Sequence, residues 1–198
     1  LHKHSKLVIV GDRKYVFGGS KNVGPFEIID DKVIEAKPKN SSENIKLELM
    51  DKLGAAKISV SKEGRIYHTC CAYKDFIVVF GGINPRNSKK DAYEMHFYSV
   101  ETGDWFEIKS TNKVEPRYKH SAVVYKDTMI IHGGINSIND QLLKDTWSFN
   151  FLDGSWTLIE LSDDGNVVPR FGHSAVIVNH FMLVIGGLTA GSSYTDSS

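Results

Sequence analysis

Cysteine is almost absent from this sequence, with Cys70 and Cys71 the two examples among 198 residues. Neighbouring side chains on a strand point to opposite faces, so this adjacent pair is a poor candidate for a disulfide. A fold held by disulfides is therefore excluded. The composition favours a reducing compartment, the cytoplasm, with the nucleus as the alternative.

The sequence also lacks long hydrophobic runs and any excess of charge. No apolar run approaches the roughly 18 residues of a membrane span, and no secretory signal opens the chain. Lys and Arg together number 24, as do Asp and Glu, so no net field attracts nucleic acid or an acidic membrane. We therefore expect neither nucleic acid nor membrane as a partner.

Catalytic motifs are missing as well. The sequence contains no G-x-S-x-G elbow, no P-loop and no H-E-x-x-H motif, so no catalytic residue and no cofactor is predicted.

One sequence motif, called here the phrase, occurs four times. RIYHTCCAYKDFIVVFGG (65–82), RYKHSAVVYKDTMIIHGG (117–134) and RFGHSAVIVNHFMLVIGG (170–187) match closely, and LHKHSKLVIVGDRKYVFGG (1–19) is a weaker copy. Aligned on His4, His68, His120 and His173, the copies lie 64, 52 and 53 residues apart. Periods near 50 residues indicate propeller blades or solenoid units, which need their neighbours to be stable.

Each unit is predicted to contain four strands. In the third unit these are HSAVVY (120–125), TMIIHGG (128–134), DTWSFNF (145–151) and WTLIEL (156–161), with a hairpin turn at LDGS. The second unit runs in parallel with AYEMHFYS and WFEIKS. In the first unit, FEIID from Phe26 is matched to the third strand and IKLEL from Ile45 to the fourth, followed by a connection of partly helical character (50–64).

The joint pattern of double glycine, DTW or DAY about ten residues later, Trp105 or Trp156 after it and then PRYKHSA resembles the kelch repeat. The resemblance implies an all-β fold, a kelch-type β-propeller of four-stranded antiparallel blades with the His-led strand innermost and the Trp-led strand outermost. We predict a single partial propeller over 1–198, with repeats at 4–64, 65–116, 117–169 and 170–198, the last incomplete. About three and a half blades are then present, and a closed ring of about 5 to 7 is expected from a longer parent chain.

Two repeated features are predicted to be structural. The glycine pairs end the second strand where close backbone approach or positive φ excludes a Cβ, and the tryptophans are expected to pack between adjacent blades.

His68, His120 and His173 could converge on a metal, but the Thr or Ser after each favours a repeated hydrogen-bonding device, so no metal is predicted. Cys70 and Cys71 resemble no complete copper-oxidase ligand set and are interpreted as buried small hydrophobes.

The candidate partner-binding residues are arginines that recur three positions before each His. In the propellers that this chain resembles, the matching arginine often lines one mouth of the central channel and binds acidic residues of a peptide. Pairing of each arginine with an acid of the next blade is an equally weighted alternative. Beside them stand Ile66, Tyr118 and Phe171. The loops after the second strands add second-tier candidates, for each of which a solvated loop residue is the alternative: Asn84, Arg86, Asn136 and Asn139. The candidates are Arg65, Arg117, Arg170, Tyr118, Phe171, Asn84 and Asn136.

These observations favour a protein-interaction module that captures a protein or peptide, acidic ones included, as part of a larger scaffold. A propeller enzyme of the oxidase or isomerase type and a purely architectural domain stay open as alternatives, because fold alone does not give function.

Overall fold

The computed structural model is all-β and forms a partial propeller. The innermost strands of four successive blades contact one another in chain order, as strands around a central axis do. The described residues are 4–19, 24–39, 48–59, 64–86, 95–108, 114–161 and 167–191.

The first blade is a four-stranded antiparallel sheet whose strands are β1 (Lys6–Val10), β2 (Arg13–Phe17), β3 (Phe26–Ile29) and β4 (Lys32–Glu35). The prediction that its fourth strand begins at Ile45 is wrong. A two-residue turn, Asp30 and Asp31, both at positive φ, leads directly from β3 into β4. Ile45 lies outside the described residues, and the helix α1 (Glu48–Lys52) begins three positions later.

The second blade contains five strands, because the connection after α1 adds one. Its strands are β5 (Ala56–Ile58), β6 (Thr69–Tyr73), β7 (Phe76–Phe80), β8 (Met95–Ser99) and β9 (Trp105–Ile108). The spatial order is β5-β9-β8-β7-β6. The Trp-led strand is therefore not outermost here, since β5 covers its edge. Such cover protects strand β9 from pairing with other chains.

The match between DAY and DTW is also corrected by the register. His96 pairs with Val79 as Trp147 pairs with Ile131, and both partners stand two residues before a glycine pair. His96 therefore occupies the position of Trp147. Ala92 and Tyr93 lie outside the described residues.

The third blade has the strands β10 (Arg117–Tyr118), β11 (Ser121–Tyr125), β12 (Thr128–Asn136), β13 (Leu142–Asn150) and β14 (Trp156–Leu158). Strand β12 continues past the glycine pair, and its last two residues pair with β10. The predicted loop from Ile135 is therefore shorter than expected. In the fourth blade the described strands are β15 (Arg170–Phe171), β16 (Ser174–Val178), β17 (Phe181–Ile185) and β18 (Leu188–Thr189).

Adjacent blades are sealed by an aromatic contact that recurs. The ring of Phe17, the residue before the first glycine pair, lies 5.1 Å from Trp105, and Phe80 lies 5.2 Å from Trp156. Both tryptophans are buried, so the prediction that they pack between blades is confirmed. Burial of large aromatic surface at each contact stabilises the stack of blades.

The glycine pairs have two separate tasks. A Cβ on Gly81 would lie 2.4 Å from the Arg117 carbonyl oxygen of the next blade, whereas a Cβ on Gly82 would lie 2.8 Å from His68 of its own blade. Both residues also have positive φ. The predicted exclusion of a side chain is confirmed, and the first glycine is required by the blade-to-blade contact.

The structure corrects the alignment of the first repeat by one residue. His4 has φ of +68°, like Tyr67 at +59°, and Ser5 rather than His4 stands at the position of His68. Counting back from the glycine pairs reveals this shift, because β1 and β6 both begin twelve residues before the first glycine. Ser5 donates a hydrogen bond to the Gly18 carbonyl oxygen at 3.0 Å.

Candidate functional site

The repeated histidines join successive blades. A hydrogen bond of 2.8 Å links His120 Nε2 to Thr69 Oγ1 of the preceding blade, and one of 2.9 Å links His173 Nε2 to Ser121 Oγ. The predicted hydrogen-bonding device is confirmed for these two residues, although each partner belongs to the preceding blade. Burial first, and then nearby positive groups, lower the pKa of His120 well below its usual range. Across the described ranges, no three His, Cys, Asp or Glu side chains are grouped closely enough to hold a metal.

Arg117 is fully enclosed in the third blade. Its Nη1 and Nη2 donate to Asp145 Oδ1 and Oδ2 at 2.7 and 2.8 Å, and Nη1 also donates to the Gly133 carbonyl oxygen. Burial alone would raise the pKa of Asp145, but the hydrogen bonds from Arg117 hold it below its usual value. Because Asp145 belongs to the same blade, this pair fits neither of the two predicted roles of the arginine.

Arg65 and Arg170 have different surroundings from Arg117. Arg65 is buried, and its Nη2 donates to His96 Nδ1 at 3.1 Å, so His96 carries its proton on Nε2, which faces Glu107 Oε1 at 3.4 Å. Burial, followed by the charge of Arg65, lowers the pKa of His96 to about 4. Arg170 is half-buried, and its Nη1 donates to the Gly186 carbonyl oxygen. Of the three arginines, Arg170 is thus the most accessible.

The two predicted asparagines are buried and shape the loops. Asn84 accepts a hydrogen bond from the backbone N–H of Arg86, and Asn136 accepts one from the backbone N–H of Ile138. Asn136 also donates to Glu115 Oε2 at 2.9 Å. In the same way Asn139 accepts from the backbone of Gln141. Their side chains stabilise turns at the channel mouth where partner binding was predicted, which is the usual role of Asn in loops.

A cluster of aromatic rings around one lysine lies at the same mouth. We call Tyr67, Tyr118, Lys119 and Phe171 the mouth cluster. The rings of Tyr67 and Tyr118 are 6.2 Å apart, and Lys119 Nζ lies 4.7 Å from the ring centre of Tyr67 and 5.2 Å from that of Phe171. All four side chains are partly exposed. Three successive blades contribute to this surface.

The sequence identified half of this cluster. Tyr118 and Phe171 were predicted, whereas Tyr67 and Lys119 were not, and Ile66, the expected neighbour of Arg65, pairs through its backbone with Ile83. The missed residues stand directly before the repeated His, at the third position of the phrase that the alignment already displayed. Their aromatic and cationic character was the available signal.

Hydrogen bonds between the backbones of successive blades fix the rim of this mouth. The N–H of Lys119 donates to the Tyr67 carbonyl oxygen at 2.9 Å, and the N–H of Gly172 donates to the Lys119 carbonyl oxygen at 2.8 Å. These three residues have φ of +59°, +54° and +66°. The left-handed turn thus directs one residue of each blade to the rim.

The cysteines have no part in this site. Cys70 and Cys71 are free thiols that pack against the hydrophobic clusters on opposite faces of the second blade. Burial raises the pKa of Cys71 to about 12, and the pKa of Cys70 is raised well above its usual value by the same cause. Thiols in this state are poor nucleophiles and poor metal ligands.

Comparisons with known proteins agree with the kelch-type fold. The family described as the KLHDC2/KLHL20/DRC7 Kelch-repeats domain matches residues 67–197. The chain is 30% identical over 139 residues to an F-box/kelch-repeat protein of Arabidopsis thaliana, and that alignment covers 65% of this chain and 28% of the relative. It is 32% identical over 139 residues to the leucine-zipper-like transcriptional regulator 1 homolog of Drosophila melanogaster, with 67% of this chain and 14% of the relative covered.

A third relative is named for a biosynthetic role. The tRNA wybutosine-synthesizing protein 4 of Homo sapiens is 28% identical over 131 residues, which cover 62% of this chain and 18% of that protein. The matched region is therefore a minor part of each of these relatives. Within the part of the chain that the structure describes, no helix has the length and apolar character needed to cross a membrane.

Proposed function

The chain belongs to the kelch-repeat family, and from that premise we propose that it is a protein-interaction module that captures a partner peptide at the mouth formed by Tyr67, Tyr118, Lys119 and Phe171. The observation that carries the proposal is the convergence of these side chains from three blades at one end of the channel. Rigid aromatic rings beside a cation are typical of the few residues that dominate binding energy at protein interfaces. Kelch domains are in general non-enzymatic interaction domains.

The predicted residues divide into two groups within this proposal. Tyr118, Phe171 and Arg170 are partly exposed and are the ones that would touch the partner. Arg65, Arg117, Asn84 and Asn136 are buried and would hold the mouth in shape from beneath. An acidic partner fits best, because guanidinium and ammonium groups bind carboxylates through charge-assisted hydrogen bonds.

The module belongs, in this proposal, to a larger scaffold in the cytoplasm or nucleus, with repeats at 4–64, 65–116, 117–169 and 170–198. The small share of each relative that the match covers supports a modular role. The free thiols of Cys70 and Cys71 fit a reducing compartment.

The architectural alternative is supported by one observation, the enclosure of Arg117 against Asp145. Under this alternative, the arginine stands at the same position in each repeat because it packs within its blade. The architectural alternative gives no reason for the exposed aromatic rings at the mouth, and the interaction module is therefore preferred.

The proposal is tested by selecting peptides from a random displayed library against this chain and measuring the affinity of a selected peptide. Replacing both Tyr118 and Phe171 by Ala should weaken binding by about tenfold or more, as expected for hot-spot rings. The matched control is Leu152→Ala, which removes a side chain that is 43% exposed on the turn at the opposite mouth. Selection of no peptide, or equal loss in both variants, would overturn the proposal.

A further inference from the structure

One position of the repeat differs in chemistry from blade to blade while its backbone stays the same. It is occupied by Tyr67, Lys119 and Gly172 in the second, third and fourth blades, all with left-handed φ and joined by backbone hydrogen bonds. Because the backbone is held in place, the side chain at this position is the variable part of the rim. Variable side chains on a fixed scaffold are where specificity resides.

Lys119 is the cation at this position, and its environment restrains it. Its Nζ is held over the ring of Tyr67 and over the ring of Phe171, at 4.7 and 5.2 Å from their centres. Cation–π contacts on two sides reduce the freedom of a side chain that is otherwise flexible. A restrained ammonium loses less entropy when a ligand binds to it.

Gly172 leaves an open space next to this ammonium. A Cβ placed on Gly172 would meet no atom within 4 Å, and the residue is exposed. The neighbouring blades place a tyrosine and a lysine side chain at the equivalent point. The rim therefore has a notch at Gly172, bordered by Lys119 and by the ring of Phe171.

We propose that Lys119 is the specificity-determining residue of this mouth and binds a carboxylate of an acidic peptide in the notch at Gly172. An apolar side chain next to that carboxylate would pack on the exposed parts of Phe171 and Tyr67. This inference rests on the proposed function, and it assigns the recognition of charge to Lys119 rather than to the repeated arginines.

The charges around the notch favour a peptide over nucleic acid. Glu115 accepts a hydrogen bond from Asn136, and Asp140 lies 3.5 Å from the hydroxyl of Tyr118, so exposed acids flank the mouth cluster. A polyphosphate backbone carries a charge at every nucleotide and would be repelled by these acids as it crosses the mouth, whereas a peptide with one carboxylate in the notch would place only that charge, next to Lys119. Stacking of bases on the aromatic rings is the competing use of such a surface.

The test compares peptides selected by the native chain with those selected by two charge variants. The native chain should enrich peptides that contain Asp or Glu, and Lys119→Glu should lose that enrichment. For one selected acidic peptide, Lys119→Gln should raise Kd by about tenfold and weaken its dependence on salt, whereas Lys119→Arg should largely retain both. Unchanged thermal unfolding confirms that each variant is folded.

Lys126 provides the matched control. It lies on the turn at the opposite mouth with its Nζ 5.3 Å from the ring centre of Tyr125, so Lys126→Gln removes an equivalent lysine–aromatic contact. This control should leave the peptide affinity unchanged. A second variant, Gly172→Asn, fills the notch with a residue that tolerates left-handed φ and should also weaken binding.

The possible outcomes separate this inference from the proposed function. If the native chain selects peptides and Lys119→Glu selects the same acidic ones, the inference is wrong while the interaction module stands. If the native chain selects no peptide, the proposed function itself fails. Preferential binding of a single-stranded oligonucleotide over the selected peptide, lost in Lys119→Gln, would overturn the acidic-peptide assignment.

Discussion

The third and fourth blades begin with nearly the same phrase, yet they are enclosed to different degrees. In the third blade, Trp156 closes the contact with Phe80 of the preceding blade, and Arg117 is fully buried. Between the third and fourth blades, His132 stands in the place of Phe80 and borders a cavity of about 370 Å³. Arg170, the counterpart of Arg117, also lines this cavity and is partly exposed.

The inner half of the contact is nevertheless the same in both places. His120 packs edge-on against Phe80 with ring centres 5.4 Å apart, and His173 packs against His132 at 5.3 Å. The hydrogen bond to Ser or Thr of the preceding blade is also repeated. The comparison shows that the His-led phrase builds the inner seal in both places, and that the outer seal of the third blade contains Trp156, which follows His120 by 36 residues.

The largest effect is expected from removing that outer seal. Trp156→Ala should lower the free energy of unfolding by about 3 to 5 kcal/mol, because a buried ring is lost and a cavity is left against Phe80. Denaturation in urea measures the change, and Leu158→Ala on the same strand, a side chain that is 48% exposed, is the control. An unchanged melting temperature in the tryptophan variant would contradict the role given to the outer seal.

Substituting the two arginines should give the next largest difference in the free energy of unfolding. Arg117→Ala leaves Asp145 half-buried without its partner and should cost about 3 kcal/mol, the lower end of the range for breaking a buried pair. Arg170→Ala removes a more exposed side chain and should cost less than about 1 kcal/mol. Thermal unfolding of the two variants side by side makes the comparison. Equal losses would show that the enclosure of the third blade has no energetic consequence.

Most of the fold could be predicted from the repeated sequence pattern. The two strands that were not predicted, β4 and β5, show what such a pattern leaves out. The inner strands and the Trp-led strands follow from local patterns of apolar residues and glycine. Strand β5 was missed because Ala56–Ile58 is too short to have a pattern, and its strand state depends on pairing with β9 across a long connection. Strand β4 was missed because the turn at Asp30 and Asp31 was not recognised as a hairpin.

The candidate site was less predictable for a related reason. A repeated arginine indicates a common task, but only the register shows that Arg117 faces Asp145 in its own blade. Positions such as Tyr67 and Lys119 were not predicted, because their residue types differ between the repeats and so form no repeated pattern. In a repeat protein the shared residues build the scaffold, and the residues that vary at a fixed backbone position supply recognition.

The remaining effect depends on pH, because the inner seal should weaken in acid. Burial, followed by the neighbouring His132, lowers the pKa of His173 to about 4, whereas an unfolded histidine titrates near its ordinary value of about 6.5. Between these values the unfolded state binds more protons than the folded state, so stability rises with pH across this window. The contribution is fully present above about pH 6.5 and is lost as the pH falls toward 4. Each such histidine should contribute on the order of 1 kcal/mol per pH unit.

The variant His173→Gln isolates this contribution, because glutamine can still bond to Ser121 but has no proton to take up in this range. Its unfolding free energy, measured in urea from pH 7 to pH 4, should fall less steeply than that of the native chain. His68, His96, His120 and His132, whose pKa values are also lowered by burial, contribute to the slope that is left. Parallel curves for the two proteins would mean that His173 takes up its proton at the same pH in the folded and unfolded states, and that the inner seal between the third and fourth blades does not shield it from water.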